Sequence, residues 1–140
     1  MQIDTTTEFG ERTVRRLEKE LIGWLTTVDA SGGPQPSPIW FVWDGETALI
    51  YSQPNTPKLR HIAVNPRVSL HLDGNGHGGD IIILTGEARI DEAAPASSRV
   101  PDYQSKYHHA IVNELKMTAE SFAQSYSVPI RFTPAKLRGH

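Results

Sequence analysis

The sequence predicts a mainly β protein with flanking helices, in which about six antiparallel strands form a small barrel. Short segments rich in β-branched, apolar and aromatic residues are separated by turn signals along most of the chain. Helical spacing of apolar residues is clearest near the amino terminus and between residues 91 and 126. Because strands and helices do not alternate regularly, a doubly wound parallel sheet is disfavoured.

The length of 140 residues is that of a single domain. This is small for an enzyme acting alone, so an active site shared between subunits would not be surprising. The net charge of -2 argues against a nucleic-acid-binding module, and the absence of cysteine excludes disulfides, thiol chemistry and cysteine-ligated metals. The sequence shows no apolar signal core and no segment of membrane-spanning length, so we expect a cytoplasmic protein.

The first expected element is an amphipathic helix within residues 5–21, which is expected to lie across the sheet. Its apolar side is Val14, Leu17 and Leu21. The β-branched and aromatic content of Gly23–Val28 predicts the first strand, and residues 29–33 form a turn cluster.

The most apolar segment, residues 38–43, has the sequence PIWFVW and does not alternate. A single strand of this kind must be covered on both faces, one by the core and the other by a partner subunit or a flat ring. Aromatic residues are more common in cores and dimer interfaces than in ligand sites, so a purely structural role stays open. Asp44 and Gly45 then predict a hairpin into the next strand.

An anion site is predicted within residues 47–66, where a strand ending at Tyr51 leads through a loop into a short helix. Thr56 suits the N-cap position and Pro57 suits the first helical position. The backbone N–H groups of Lys58 and Leu59 are then expected to face the strand end without a partner inside the helix.

A phosphate group fits these donors. The positive end of the helix dipole adds to the charges of Lys58 and Arg60, and the hydroxyl groups of Ser52 and Thr56 add further donors. The alternative is an ordinary capped surface helix with two solvated cations.

Residues 67–72 alternate apolar and polar side chains, which predicts a strand with one buried face. The members of that face are Val68, Leu70 and Leu72. A glycine-rich loop at 73–80 follows, and the next strand is expected at 81–90 with a bend at Gly86.

Two helices are expected next, one opened by Pro101 and one capped by Thr118. Their apolar residues at helical spacing are Tyr103, Tyr107 and Ile111 in the first, and Phe122 and Tyr126 in the second. The chain closes with a strand at 128–134, expected at a sheet edge or beginning at a proline.

No arrangement of catalytic side chains is found in the sequence. The six histidines form no metal-binding pattern, and His108 and His109 are adjacent on a predicted helix, so their side chains diverge. A nucleophile elbow, a nucleotide triphosphatase loop and a carboxylate pair are also missing. An anion loop beside an apolar strand, with no catalytic acid, base or nucleophile, predicts a protein whose bound cofactor carries the chemistry.

A family resemblance lies in three segments, GWLTTVDASGGPQPSPIWFVWDG, ALIYSQPNTPKLRHIAVNPRVSLHL and GGDIIILTGEARI, and in the closing IRFTPAKLRG. Together these resemble the pyridoxamine 5'-phosphate oxidase-like superfamily, specifically its branch that depends on the deazaflavin coenzyme F420. The resemblance implies a split β-barrel of the FMN-binding type, which forms a homodimer with two cofactor sites at the subunit interface.

The resemblance also implies which residues bind the cofactor. One strand of the family lies along the cofactor ring and contacts it mostly through backbone atoms. The residues that match this strand are Pro38, Ile39, Trp40 and Phe41. Those matching the phosphate-binding segment are Ser52, Gln53, Lys58, Leu59 and Arg60. Gly79 and Asp80 match positions where the partner subunit approaches the ring.

The implied activity is transfer of a hydride from C5 of reduced F420 to a small organic acceptor, with solvent or a hydroxyl such as that of Tyr51 supplying a proton. Vitamin B6 oxidation is not expected, because the strand PIWFVW lacks basic side chains and the chain ends Arg138-Gly139-His140 without a substrate-binding Trp and Arg. FMN in the same pocket is the alternative cofactor. A non-catalytic carrier of F420, flavin or haem is the alternative class of function.

Overall fold

The computed structural model describes the whole chain, Met1–His140. Seven antiparallel strands form one sheet in the order β2-β1-β5-β6-β7-β4-β3. The strands are β1 (Gly23–Val28), β2 (Pro34–Ile39), β3 (Val42–Trp43), β4 (Ala48–Ser52), β5 (Arg67–His71), β6 (Ile82–Ile90) and β7 (Val128–Gly139). The helices are α1 (Glu8–Lys19), α2 (Pro57–Val64), α3 (Pro101–His109) and α4 (Ala119–Ser125). The mainly β prediction is confirmed, with seven strands instead of about six.

The sheet is curled into a split barrel. β2 and β3 occupy its two opposite edges, yet only Trp40 and Phe41 separate them in the chain. Three extended steps of chain span only about 10 Å, so the two edges must lie close together. β2 and β3 do not pair with each other, and the barrel therefore stays open along this seam.

The prediction of one continuous strand at 38–43 is wrong. Ile39, the last residue of β2, pairs with Gly23, whereas Val42 in β3 pairs with Leu49 on the other edge. The chain crosses from one edge to the other within this segment, so its backbone leaves the ladder at Trp40. An unbroken apolar run carries no mark of such a break.

The barrel interior contains the larger core cluster, which includes the predicted face of β5. Val68, Leu70 and Leu72 are all buried there, as predicted. Leu17 of α1 belongs to the same cluster, but Leu21 is 51% exposed and does not share its face. α1 ends at Lys19 because the chain must straighten before it enters β1, and this removes Leu21 from the helix.

A second core cluster lies outside the barrel, between β3, β4 and the helical segment that follows β6. All five residues of β4 are buried, because Ile50 faces the barrel interior while Leu49 and Tyr51 face the second cluster. The remaining members of the second cluster are Val42, Tyr103, Tyr107, Ile111 and Phe122. The predicted helical spacing in this segment is therefore confirmed.

The helical segment is less regular than predicted. A short 3₁₀ turn at Ser97–Arg99 precedes α3, and a π-helical turn at Ala110–Glu114 follows it. Thr118 caps α4 as predicted, because its hydroxyl accepts from the N–H of Ser121. No helix has the length and apolar character that crossing a bilayer demands.

The last strand was predicted at 128–134, at a sheet edge or beginning at a proline. The edge position is wrong, whereas Pro129 is the second residue of the strand. β7 runs for 12 residues between β4 and β6 in the middle of the sheet. The ladder between β6 and β7 shifts register at Thr85 and Gly86, which confirms the bend at Gly86. Pro134 lies opposite Gly86 at this irregularity, where a missing backbone N–H is tolerated.

Replacing Gly86 with alanine should destabilise the fold. An added Cβ would lie 2.1 Å from the carbonyl oxygen of Thr133, so the two strands would have to separate. We expect Gly86→Ala to lower the free energy of unfolding in urea by about 2 kcal/mol or more. Thr85→Ala, at the neighbouring half-buried position, is the control and should cost less than about 1 kcal/mol. Equal losses in the two variants would contradict the close approach at Gly86.

Stability should fall steeply above pH 10. Burial raises the pKa of Tyr51 to about 12 and also raises the pKa values of Tyr103 and Tyr107. The unfolded chain releases these protons near the ordinary value of about 10, so above that pH the unfolded state holds fewer protons and is favoured. Below pH 10 both states keep the protons, and these groups leave the stability unchanged.

Urea titrations at pH 9, 10 and 11 measure this effect. Between pH 10 and 11 the free energy of unfolding should fall less in Tyr103→Phe than in the natural chain. The difference should be at most about 1.4 kcal/mol, the value for one proton over one pH unit. The same pH dependence in the variant and the natural chain would show that Tyr103 does not contribute.

Candidate functional site

The candidate site is a cavity of about 300 Å³ on the outer side of β4, where the end of β2, α2 and the helical segment meet. It brings together four residues that the sequence assigned to cofactor binding: Pro38, Ile39, Trp40 and Lys58. The other lining residues are Ile22, Tyr51, Tyr103, Leu115, Phe122 and Tyr126. All of the lining residues except Lys58 are apolar or aromatic, as in pockets that bind small molecules.

Stacked aromatic rings form one wall of this cavity. The Trp40 ring is parallel to that of Tyr107, with centroids 4.5 Å apart, and is also stacked on Phe122 at 5.4 Å. Phe122 in turn stacks on Tyr126 at 4.5 Å. An aromatic wall of this kind suits an apolar, planar ligand.

Lys58 supplies the cationic side chain of the lining. It is half-buried in the first turn of α2, and burial alone lowers the pKa of its ammonium group. No carboxylate forms an ion pair with it. A partly desolvated cation without a partner is stabilised by any anion that enters the cavity.

The loop before α2 uses some of its donors internally. Thr56 stands at the N-cap position, as predicted, but its hydroxyl lies 2.9 Å from Ser52 Oγ and caps no backbone amide. Ser52 also donates to the carbonyl of Gln53 at 2.8 Å, and the N–H of Leu59 donates to the carbonyl of Thr56 at 3.2 Å. The N–H of Leu59, which we expected to be without a partner inside the helix, is thus bonded to the N-cap residue. A ligand that uses these groups must compete with short internal bonds.

Arg60 and Gln53 are exposed and do not line the cavity. Arg60 Nη1 donates to the carbonyl of Asn55 at 2.9 Å, so this side chain folds back over the loop. Its remaining N–H groups are unbound. Phosphate binding by Arg60 and Gln53 stays a prediction.

Phe41 contributes to the barrel core instead of the cavity lining. Its side chain is fully buried, its N–H donates to Tyr107 Oη at 2.9 Å, and its carbonyl accepts from Lys106 Nζ at 2.8 Å. Both of its backbone groups are therefore occupied within the chain. Contact between the Phe41 backbone and a cofactor ring stays a prediction.

Gly79 and Asp80 end the glycine-rich loop and do not line the cavity of their own chain. The Asp80 carboxylate lies 3.0 Å from Arg12 Nε and 3.2 Å from Arg16 Nη1, so the loop is tied to α1. The Arg12 contact is an ion pair without the alignment of a hydrogen bond. Their assignment to the cofactor site of a partner subunit stays a prediction.

Tyr51 lines the cavity, but its hydroxyl is committed elsewhere. It donates to the carbonyl of Pro95 at 2.5 Å. Burial raises the pKa of Tyr51 to about 12, with a further small rise from Asp91 and an opposing effect of Arg131. The group stays neutral and hydrogen-bonded at neutral pH, so this geometry gives no support to proton donation by Tyr51.

Sequence reasoning missed half of the cavity wall. Tyr103, Phe122 and Tyr126 were recognised by helical spacing, which identifies a buried side but not the surface that it faces. Leu115 and Ile22 carried no signal, because each lies outside any regular element. No group of three or more His, Asp or Glu side chains is arranged to hold a metal ion.

Comparison with solved structures shows the same fold in distant proteins. The conserved hypothetical protein Rv2991 from Mycobacterium tuberculosis has 23% identity and a TM-score of 0.72, covering 94% of this chain and 82% of that one. An F420 reductase has 21% identity and a TM-score of 0.63, covering 89% and 94%. HutZ, the heme storage protein from Vibrio cholerae, has 17% identity and a TM-score of 0.62, covering 99% and 95%. No curated protein sequence matches the chain.

A family comparison covers nearly the whole chain. Residues 9–140 match the family described as pyridoxamine 5'-phosphate oxidase. This match spans every strand of the split barrel and the helices that build the cavity. The chain therefore belongs to the pyridoxamine 5'-phosphate oxidase family, as its sequence resemblance implied.

Proposed function

We propose that this protein is an F420-dependent oxidoreductase that transfers a hydride from the reduced deazaflavin to a small organic acceptor, as a cytoplasmic homodimer. The observation that carries the proposal is the position of Lys58. This cation lacks a carboxylate partner and stands in the wall of an aromatic cavity. F420 and FMN both join a planar ring to a phosphate group, and the cavity offers one surface for each.

The residues present fit such a cofactor. Pockets for small molecules begin at about 300 Å³, which is the size of this cavity, so one protomer can hold a ring system but not a whole cofactor and an acceptor. A partner subunit is proposed to complete the site. No strand of this chain covers the outer edge of β2, which is therefore open to contact with a partner at the exposed Pro34, Gln35, Pro36 and Pro38.

When bound, reduced F420 supplies the hydride from C5 of its ring. The chain contributes binding, orientation and exclusion of water: Lys58 would hold the phosphate, while the aromatic wall that contains Trp40 and Phe122 would border the ring. No Asp, Glu or His lines the cavity, so the proton that accompanies the hydride is proposed to come from solvent.

FMN is the second candidate cofactor, because Lys58 suits its ribityl phosphate as well as the phosphodiester of F420. The deazaflavin is placed first because the sequence resembles the F420-dependent branch, and a solved F420 reductase has the same fold. A haem carrier receives less support from this cavity. None of the six histidines lines it, so no imidazole is present there to ligate iron.

Equilibrium binding of F420 and FMN, measured side by side by fluorescence, tests the proposal. We expect tighter binding of F420, followed by oxidation of the reduced cofactor with one or more enones, quinones or tetrapyrroles. A yellow preparation that releases FMN on denaturation would favour the second candidate. Tight binding of F420 without turnover of any acceptor would identify a carrier, and binding of neither cofactor would refute the proposal.

Lys58→Ala should weaken cofactor binding much more than it weakens folding. A charge-assisted contact to phosphate is worth about 1.5–3 kcal/mol, so the dissociation constant should rise about 10- to 150-fold. The variant should lose little stability, because the desolvated cation has no carboxylate partner in the free protein.

Lys136→Ala is the matched control, since Lys136 is an exposed lysine on β7 that does not line the cavity. Titration of the natural chain and both variants, together with thermal melts, provides the comparison. Equal affinities for the Lys58 and Lys136 variants would remove Lys58 from the site.

A further inference from the structure

The backbone between β2 and β3 has no partner in the sheet. The ladder of β2 ends with Ile39 opposite Gly23, and that of β3 begins with Val42 opposite Leu49. Trp40 and Phe41 lie between them with no strand beside them. Buried peptide groups in such a gap must be satisfied by side chains or water.

Two consecutive residues of α3 satisfy the peptide groups of Phe41. Tyr107 Oη accepts from the N–H of Phe41 at 2.9 Å and donates to the carbonyl of Leu21 at 2.7 Å. Lys106 Nζ donates to the carbonyl of Phe41 at 2.8 Å and lies 3.3 Å from the carbonyl of Leu17. α3 therefore holds both backbone groups of Phe41 and ties them to the last turn of α1 and to the connection between α1 and β1.

The same two side chains also contact the aromatic rings of the gap. The Tyr107 ring is nearly parallel to the Trp40 ring, at 6° and 4.5 Å. Lys106 Nζ lies 3.9 Å from the centre of the Phe41 ring, which adds a cation–π contact. Trp40 faces the candidate site, and Phe41 faces the barrel core. The direction of each ring is thus set from α3.

We propose that Lys106 and Tyr107 are positioning residues, which fix the bend at Trp40 and Phe41 so that Trp40 stands in the cavity wall with one orientation. This inference rests on the proposed function, because it assigns the pair a role in cofactor binding. Neither residue has to touch the cofactor: Tyr107 and Lys106 act through Trp40 and through the backbone of Phe41.

The test removes the Tyr107 hydroxyl and keeps its ring. Tyr107→Phe leaves the N–H of Phe41 without its acceptor, while stacking on Trp40 remains possible. Thr13→Val is the matched control, because Thr13 is fully buried and donates to the carbonyl of Phe9 at 2.8 Å within α1. Both variants lose one buried hydroxyl, but only Tyr107→Phe changes the gap.

Two measurements need no cofactor. Amide hydrogen exchange of Phe41 should become about tenfold faster in Tyr107→Phe, relative to the change in overall stability, and should follow stability alone in Thr13→Val. In protein labelled with 5-fluorotryptophan, the ¹⁹F resonance of Trp40, assigned by Trp40→Phe, should broaden or split in Tyr107→Phe and stay single in the control. Unchanged exchange and an unchanged resonance would overturn the inference.

The third measurement is the dissociation constant for F420 and FMN. We expect it to rise about tenfold in Tyr107→Phe and less than about twofold in Thr13→Val. If the natural chain binds a cofactor and Tyr107→Phe binds it equally well, the positioning role is wrong although the proposed function stands. If the natural chain binds neither cofactor, the proposed function fails and the link from the bend to cofactor binding is overturned with it.

Should Tyr107→Phe fail to fold, Lys106→Met replaces it in the same three measurements. Methionine keeps the apolar stem of Lys106 and removes its donor to the Phe41 carbonyl. A broadened Trp40 resonance with weaker cofactor binding is expected in this variant too. A folded Lys106→Met with the natural spectrum and affinity would refute the role of the pair.

Discussion

The two-residue connection between the outer strands constrains the rest of the structure. β2 and β3 belong to opposite edges of a seven-stranded sheet, and a connection this short prevents the sheet from lying flat. Curling brings the apolar strand faces together as a core, but it leaves a seam where the backbone has no ladder. The peptide groups of Phe41 must then be satisfied from outside the sheet, and α3 packs where its side chains can reach them.

Regular patterns predicted the regular parts of the fold. Alternation placed Val68, Leu70 and Leu72 in the core, and the glycine at position 86 marked a bend, because both signals depend on nearest neighbours in the chain. The break at Trp40 could not be predicted, since a wholly apolar run has no polar position to mark where the strand leaves its partner. Prolines suggested an edge position for β7, yet an irregular ladder beside Pro134 let that strand lie in the centre.

The candidate site also contains some residues that the sequence could predict and others that it could not. The sequence assigned Lys58 to an anion site, because an N-cap, a proline and a cation in a row identify the start of a helix, and the family resemblance assigned the end of β2 to the cofactor ring. The sequence could not distinguish Lys58 from Arg60, which occupy the same helical turn. Burial separates the two, and that burial involves residues of α3 and α4, such as Tyr103 and Phe122, that lie more than forty positions later in the chain.

The pairing of Ile90 with Ile130 has a consequence for how this scaffold diversifies. The chain leaves β6 at Ile90 and returns beside it at Ile130, so the whole excursion through α3 and α4 begins and ends on one rung of the ladder. Such an excursion can change in length and in the side chains that face the cavity while the strands on either side keep their register, provided that α3 still satisfies the peptide groups of Phe41. The aromatic rings of the excursion form one wall of the cavity. Lys58 lies in α2, which comes earlier in the chain and outside this excursion. Evolution could therefore vary the molecules admitted to the cavity while leaving Lys58 and its loop untouched.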